Sequence, residues 1–214
     1  PAFERSCGCD VRATFGSSGT FGTQIREGLP VDVFFSANEA YIDDLARAGL
    51  VLPESARLYA VGRIVLATPA GSGRTLTTLR DLLDPSIEKV ALANPDHAPY
   101  GLAGRQALET EGLWDAVRPK LVFGENAAQT TDFVQSGNAQ AGIVPLSLAV
   151  QRKDRLRYTL IDDALHAPLR QAAAVLARSD RADLADAFID FVNGPEGRRI
   201  MRNYGFVLPG EVAP

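Results

Sequence analysis

At 214 residues, 46% hydrophobic and 22% charged, the chain has room for one large domain or two lobes of roughly 100 residues each, in an ordinary globular composition. A net charge of −4 disfavours a nucleic-acid partner, which selects a basic surface, and no apolar run approaches the ~18 residues of a membrane-spanning helix. An anion receptor stays open, because backbone N–H groups and hydroxyls can hold a buried anion without net positive charge.

In chain order, Pro1 to Arg5 reads as the tail of an amphipathic helix, which leads us to expect sequence upstream; no signal peptide is recognisable, so no compartment follows from targeting. Cys7 and Cys9 flank Gly8 with no Cys or His nearby at metal-ligand spacing. They are expected as turn residues without chemistry, the alternatives being a strained disulfide or a redox role. Asp10–Phe15 alternates with period two and predicts a strand, which Gly16-Ser17-Ser18-Gly19 breaks before a helix running through Arg26. Val31–Ser36 reads as a buried parallel strand, and Asn38-Glu39 opens a helix that Gly49 stops. Arg63–Pro69 is a further strand, and Thr77 can cap a short helix over 78–83.

Next come strand 89–94, helix 101–111, strand 120–124, helix 127–136, strand 141–144, helix 146–150, strands 157–161 and 171–176, and helices 183–193 and 195–203. This alternation predicts an α/β protein with mostly parallel sheets. The strands near 63–68 and 171–176 are candidate crossings between lobes, which places lobe 1 at 1–68 plus 172–214 and lobe 2 at 69–171, with a ligand cleft between them.

Three strand-to-helix junctions carry the functional signal. A helix start presents unpaired N–H groups and partial positive charge. The first junction is Phe15-Gly16-Ser17-Ser18-Gly19-Thr20, where Ser18 can offer a hydroxyl and an N–H, and where Ser17 or Ser18 can equally be a plain helix cap. The second is Asn94-Pro95-Asp96-His97-Ala98-Pro99-Tyr100-Gly101, with N–H groups of Tyr100 and Gly101 and the Tyr100 phenol as donors; packing of Tyr100 as an ordinary aromatic is the alternative. The third is Phe123-Gly124-Glu125-Asn126-Ala127-Ala128, where Ala127 offers only its N–H, and Glu125 and Asn126 are expected to cap or orient. Together they point to a small-anion receptor.

No catalytic constellation competes. His97 is expected to fix the second turn by hydrogen bonding, and His166 is expected in a solvated loop. The chain holds no Gly-x-Ser-x-Gly elbow, P-loop or His-Glu-x-x-His motif, so catalytic and metal-ligating residues are both expected to be none, and no cofactor is expected. Asp43-Asp44, Asp162-Asp163 and the basic run Arg198–Arg202 read as solvated faces.

Several segments, in order, resemble the ModA family, the molybdate-binding receptors of ABC importers: Gly28–Ala37, the turn Asn94–Gly101, Gly112-Leu113-Trp114-Asp115 followed by Pro119-Lys120-Leu121, Gly142-Ile143-Val144, and Gly194-Pro195-Glu196 with Tyr204-Gly205-Phe206. The resemblance covers nearly the whole chain. It implies a two-lobed type II periplasmic-binding-protein fold closing over a tetrahedral oxyanion, molybdate or tungstate. The implied ligand residues are Ser18, Tyr100 and Ala127, with Ser17 and Gly101 beside them. It further implies a monomer in the periplasm or at the cell exterior, with a membrane permease as partner. Two departures stand out. The family's opening strand and its small-residue turn would lie upstream of Pro1. The tyrosine that many members carry after Gly-Ile-Val is Pro145 here, which has neither hydroxyl nor N–H; Tyr100 could supply the lost phenol from another direction. The rival readings are a receptor for sulfate, phosphate or an organic anion, the sensing domain of a transcription regulator, and an enzyme holding a phosphate at helix termini.

Overall fold

A computed structural model describes residues 2–211; Pro1 and residues 212–214, the ends of the expected first lobe, lie outside the described residues. The opening helix is present as α1 (Ala2–Cys7), and Cys7 and Cys9 are joined in a disulfide across Gly8, which takes φ +65°. The expected strand at 10–15 does not form. That stretch is exposed throughout, with Phe15 87% accessible, and Val11 N–H donates to the Glu4 carboxylate at 3.0 Å instead of to a ladder. Alternation makes a strand only where one face is covered and a neighbour supplies hydrogen bonds.

From there the elements follow in order. Helix α2 (Ser18–Arg26) leads to β1 (Val33–Ser36), and α3 (Glu39–Arg47) begins where the Asn38 carbonyl oxygen of the side chain accepts from Ala40 N–H at 2.9 Å. Gly49, at φ +67°, ends that segment as a left-handed glycine does. Strand β2 (Arg57–Gly62), which the sequence reading passed over, is followed after one residue by β3 (Ile64–Pro69). A 3-10 turn at Leu79–Leu83 is capped by Thr78, one residue beyond the expected Thr77, and reciprocally by Asp81.

The central portion comprises β4 (Val90–Ala93), α4 (Pro99–Thr110), α5 (Trp114–Val117), β5 (Leu121–Gly124), α6 (Ala127–Gln135), β6 (Ala141–Pro145), α7 (Leu146–Gln151) and β7 (Leu156–Leu160). The chain closes with β8 (Leu169–Val175), α8 (Ala182–Asn193) and α9 (Pro195–Asn203). The α9 basic run is not simply solvated, because Arg198 and Arg202 both pair with Glu211.

The strands form two sheets, one ordered β1-β8-β2 and one ordered β5-β4-β6-β3-β7, so the two-sheet α/β architecture stands. The pairing is more mixed than a mostly parallel sheet in each lobe. Strand β4 is parallel to β5 and β6, whereas β3 is antiparallel to β6 and β7, and β8 is antiparallel to both β1 and β2. The reason lies in burial. Ile64 and Leu66 of β3 enter one core with Leu82, Leu92, Leu108 and Ile143, while Val65 and Ala67 enter another with Ala91, Val134 and Val144. Strand β8 does the same with Ala172 and Ala174 against Ala173 and Val175. A strand covered on both faces reads as a continuous apolar run whichever way its neighbours point.

Strand β3 belongs wholly to the five-stranded sheet, so the sheets change over at Arg63 rather than after residue 68, and return through residues 161–168. Arg63 is the single residue between β2 and β3, and its Nε lies 3.0 Å from Asp163 Oδ2. The two crossings are thereby tied to each other.

Candidate functional site

The second and third junctions sit between the C-terminal end of a strand and the start of a helix, and the first leads into α2 without a strand before it. Their positions converge. The His97 carbonyl, in the turn between β4 and α4, accepts the Gly19 N–H at 3.0 Å and also the Ser17 hydroxyl. Asn94, at the start of that turn, donates its N–H to the Gly124 carbonyl at 2.8 Å, and His97 Nε2 lies 3.9 Å from Glu125 Oε2. The first junction therefore touches the second across the lobes, and the second touches the third within lobe 2.

Glycine makes the inter-lobe contact possible. A Cβ on Gly19 would stand 2.6 Å from the His97 carbonyl oxygen and 2.8 Å from the Tyr41 hydroxyl. Gly101 serves a local approach instead: its Cβ would meet the Ala93 carbonyl oxygen at 2.0 Å, so the glycine lets the first turn of α4 pack on the end of β4. Its N–H and that of Tyr100 belong to that first turn, whose donors have no acceptors within their own helix.

Ser17 and Ser18 are both buried but differ in use. Ser17 occupies the cap position of α2, yet its side chain makes no cap bond; the hydroxyl goes to the His97 carbonyl, and His97 Nδ1 is 3.0 Å from Ser17 Oγ. Ser17 is thus a latch between lobes. Ser18 Oγ accepts the Ala37 N–H at 3.0 Å, and an N–H cannot take the Ser18 proton, so that hydroxyl is left to donate. Ala127 is the first residue of α6, and Asn126 caps it by accepting the Gln129 N–H at 3.0 Å, which leaves the Ala127 N–H as a first-turn donor. Glu125 is exposed, its N–H goes to Gln129 Oε1, and its carboxylate faces the His97 ring at 3.9 Å.

Tyr100 is partly buried against the lobe 2 core, and its hydroxyl accepts from Gln171 Nε2 at 2.7 Å. Burial raises its pKa to about 12, only partly opposed by that hydrogen bond, so it is a neutral phenol at physiological pH. Gln171 is 3% exposed on β8, and its Oε1 accepts the Tyr59 hydroxyl at 2.8 Å. Tyr59 is likewise pushed above the ordinary phenol range by burial, with the nearby Tyr100 adding to it. Gly62 makes room for this chain, since its Cβ would stand 2.5 Å from both Gln171 Nε2 and the Tyr100 oxygen.

Gln171, Tyr59 and Gly62 are absent from the sequence-derived site. The available signal was Gln171 itself, a lone polar residue opening the otherwise apolar run Gln171–Leu176. His166 also departs from expectation: it is 9% exposed, with Nδ1 2.8 Å from the Ala167 carbonyl and Nε2 buried with no hydrogen-bond partner among the described residues. Pro145 is buried at the end of β6, opposite Ile64, and contributes no donor. Among the described residues, no cluster of three or more His, Cys, Asp or Glu could hold a metal ion. A hollow of about 370 Å³ borders the second turn from outside, lined by Asn94, Asp96, Arg105, Trp114 and Phe123 among others, and none of the five candidate residues lines it.

The family described as bacterial extracellular solute-binding protein matches residues 1–207. The molybdate-binding protein ModA of Rhodobacter capsulatus is 35% identical over 210 residues, covering 96% of this chain and 80% of that protein. ModA of Azotobacter vinelandii is 34% identical over 210 residues, covering 96% and 82%. The solved periplasmic molybdate-binding protein of Azotobacter vinelandii superposes with a TM-score of 0.90 at 31% identity, covering 97% of this chain and 91% of that one. On these matches, the chain belongs to the bacterial extracellular solute-binding protein family, and within it to the ModA group.

Proposed function

We infer that the protein is the extracytoplasmic binding component of an ABC importer and that it carries molybdate or tungstate as a tetrahedral oxyanion. It is a binding protein and not an enzyme, as its relatives are. The observation that carries the reading is the convergence of three helix starts on the His97 turn, with neutral donors from both lobes. Ser18 would donate through its hydroxyl, Tyr100 through its phenol and, with Gly101, through the first-turn N–H groups of α4, and Ala127 through its N–H. Ser17 would act by holding the lobes together. The anion is cargo, and the proposal includes no resident cofactor.

Hydrogen bonds to a charged group contribute about 1.5–3 kcal/mol each, and a micromolar dissociation constant corresponds to about 8 kcal/mol, so four or five such bonds suffice after ordering costs. Fixed donors also discriminate by size. Sulfate, with shorter bonds to oxygen, would leave buried donors underpaired at about 1–3 kcal/mol each. In this reading the protein works as a monomer in the periplasm or at the cell exterior, and the closed lobes present the surface that the membrane permease reads.

Thermal unfolding with molybdate, tungstate, sulfate and phosphate in separate samples tests the reading. Ligand at about 100 times its dissociation constant stabilises by about 2.7 kcal/mol, a shift of roughly 5–11 °C for a chain this size. A shift with molybdate and tungstate alone is expected. A shift with sulfate or phosphate alone, or with no anion while the chain still unfolds cooperatively, would refute it.

A further inference from the structure

We propose that Gln171 and Tyr59 are positioning residues that aim the Tyr100 hydroxyl proton at the anion, and that they thereby set the preference for fully deprotonated oxyanions. The inference rests on the oxyanion reading above and deepens it.

The argument follows the protons. The Gln171 amide has one donor end and one acceptor end. Tyr59 O–H donates to Oε1 at 2.8 Å; the other acceptor near it, the Ser36 carbonyl, is farther away at 3.4 Å. That bond fixes the amide with Nε2 toward Tyr100, where it donates to the phenol oxygen at 2.7 Å. An NH₂ group cannot accept, so the Tyr100 proton must point away from Gln171. With the amide turned the other way, Oε1 would take the Tyr100 proton, and the phenol would offer the cleft a lone pair in place of a donor. Tyr59 opposes that reversal. Burial of Gln171 at 3% exposure keeps water from scrambling the order, and Gly62 gives the chain its space. Ser18 is arranged in the same sense by the Ala37 N–H at 3.0 Å. Two hydroxyls, one from each lobe, are thus committed as donors.

A site of committed donors suits molybdate, whose oxygens all accept near neutral pH. Hydrogen phosphate carries a P–OH that would face a donor and lose a bond. The relay therefore predicts discrimination by protonation state in addition to size.

The test compares dissociation constants for molybdate and inorganic phosphate, by calorimetry at pH 7.5, in wild type, Tyr59→Phe, Gln171→Glu, Tyr100→Phe and the double variant Tyr59→Phe/Tyr100→Phe. Unliganded thermal midpoints are measured alongside. Tyr59→Phe removes one buried hydroxyl without changing charge, and is expected to weaken molybdate binding by about 3–10-fold. In the Tyr100→Phe background the same change should cost less than twofold, because no phenol proton is left to aim. Gln171→Glu accepts from both phenols and should weaken molybdate by more than tenfold. The molybdate-to-phosphate preference should narrow in both single relay variants. Equal losses from Tyr59→Phe in the two backgrounds, or an unchanged preference, would overturn the relay, since a purely structural role predicts both. Wild type that binds neither anion would overturn the oxyanion reading and the relay together, whereas wild-type binding with unaffected variants would overturn the relay alone.

Discussion

Gly19→Ala is the substitution that most directly probes how closure and binding are linked. Gly19 lies in the first turn of α2, where its N–H bonds to the His97 carbonyl across the lobes at 3.0 Å. An added Cβ would stand 2.6 Å from that carbonyl oxygen and 3.0 Å from His97 Cα. The third neighbour, the Tyr41 hydroxyl at 2.8 Å, ends a side chain that can swing, but the carbonyl is backbone and cannot. Carbon and oxygen approach no closer than about 3.3 Å, so the lobes must part locally by about 0.7 Å. The Gly19 N–H bond then stretches beyond hydrogen-bonding range, while the shorter bond from the Ser17 hydroxyl to the same carbonyl stays within it.

One neutral bond lost at about 1 kcal/mol, together with overpacking of about 1–3 kcal/mol, places the cost to the closed form at about 2–4 kcal/mol. This corresponds to roughly a 30- to 700-fold weaker dissociation constant for molybdate. The open form is not penalised, since alanine favours a helix over glycine by up to about 1 kcal/mol. Calorimetric titration with molybdate measures the loss, and unliganded thermal unfolding checks that the lobes remain folded. An affinity within threefold of wild type would refute the reasoning, because the carbonyl clash would then have been absorbed without parting the lobes.

Other outcomes are expected on the same footing. Tyr100→Phe keeps the ring and removes the donor, and should weaken molybdate by about ten- to a hundredfold in titration, with stability lowered by about 1–3 kcal/mol because the buried Gln171 Nε2 loses its acceptor. Asp81 accepts the Thr77 and Thr78 N–H groups, and these bonds hold its carboxyl below its ordinary value of 3.8. The stability it lends is therefore present above that value and lost as pH falls through the lower folded value. Urea unfolding of Asp81→Ala should show a deficit of about 1 kcal/mol at pH 6 that shrinks below pH 4. Arg57 joins β2 to α8 through Asp186 at 2.6 Å and Asp190 at 3.4 Å, in a partly exposed cluster. Arg57→Ala should lower stability by about 1 kcal/mol, a midpoint drop of roughly 2–4 °C, without altering affinity.

What could be read in advance divides along a physical line. The helix starts near Ser18, Pro99 and Ala127 were legible to within about two residues, the second being expected at 101, because small, capping and proline residues act locally at their own positions. Strand direction was not, because Ile64–Ala67 looks the same with parallel or antiparallel neighbours once both faces are buried. Strand β2 was missed because Arg57 and Gly62 frame a short run whose exposure is uneven and whose pairing with β8 slips between Leu58 and Ala60. At the site, the donors were visible but their partners were not. Ser17 reads as a cap and instead serves the His97 carbonyl, 80 residues away in sequence. Gln171 and Tyr59 meet only because two strands pair, and a single sequence carries no mark of that meeting.

The exchange of a phenol position now has a mechanical reading. In the proposed reading Pro145 ends β6 with no donor, and the phenol is supplied by Tyr100 at the start of α4. Tyr100 lies in the lobe of the five-stranded sheet, whereas Gln171 and Tyr59 lie on β8 and β2 of the other. A phenol anchored within one lobe would donate equally well open or closed. In the proposed relay the orienting amide belongs to the other lobe, so the aim of Tyr100 depends on how the two lobes meet. A closure that improves this aim would strengthen the bond to the anion, and the anion would favour that closure by the same free energy, as linkage requires. Reversing the relay should then loosen the closed form as well as weaken the anion, which ties the Tyr59 and Gly19 variants to one equilibrium.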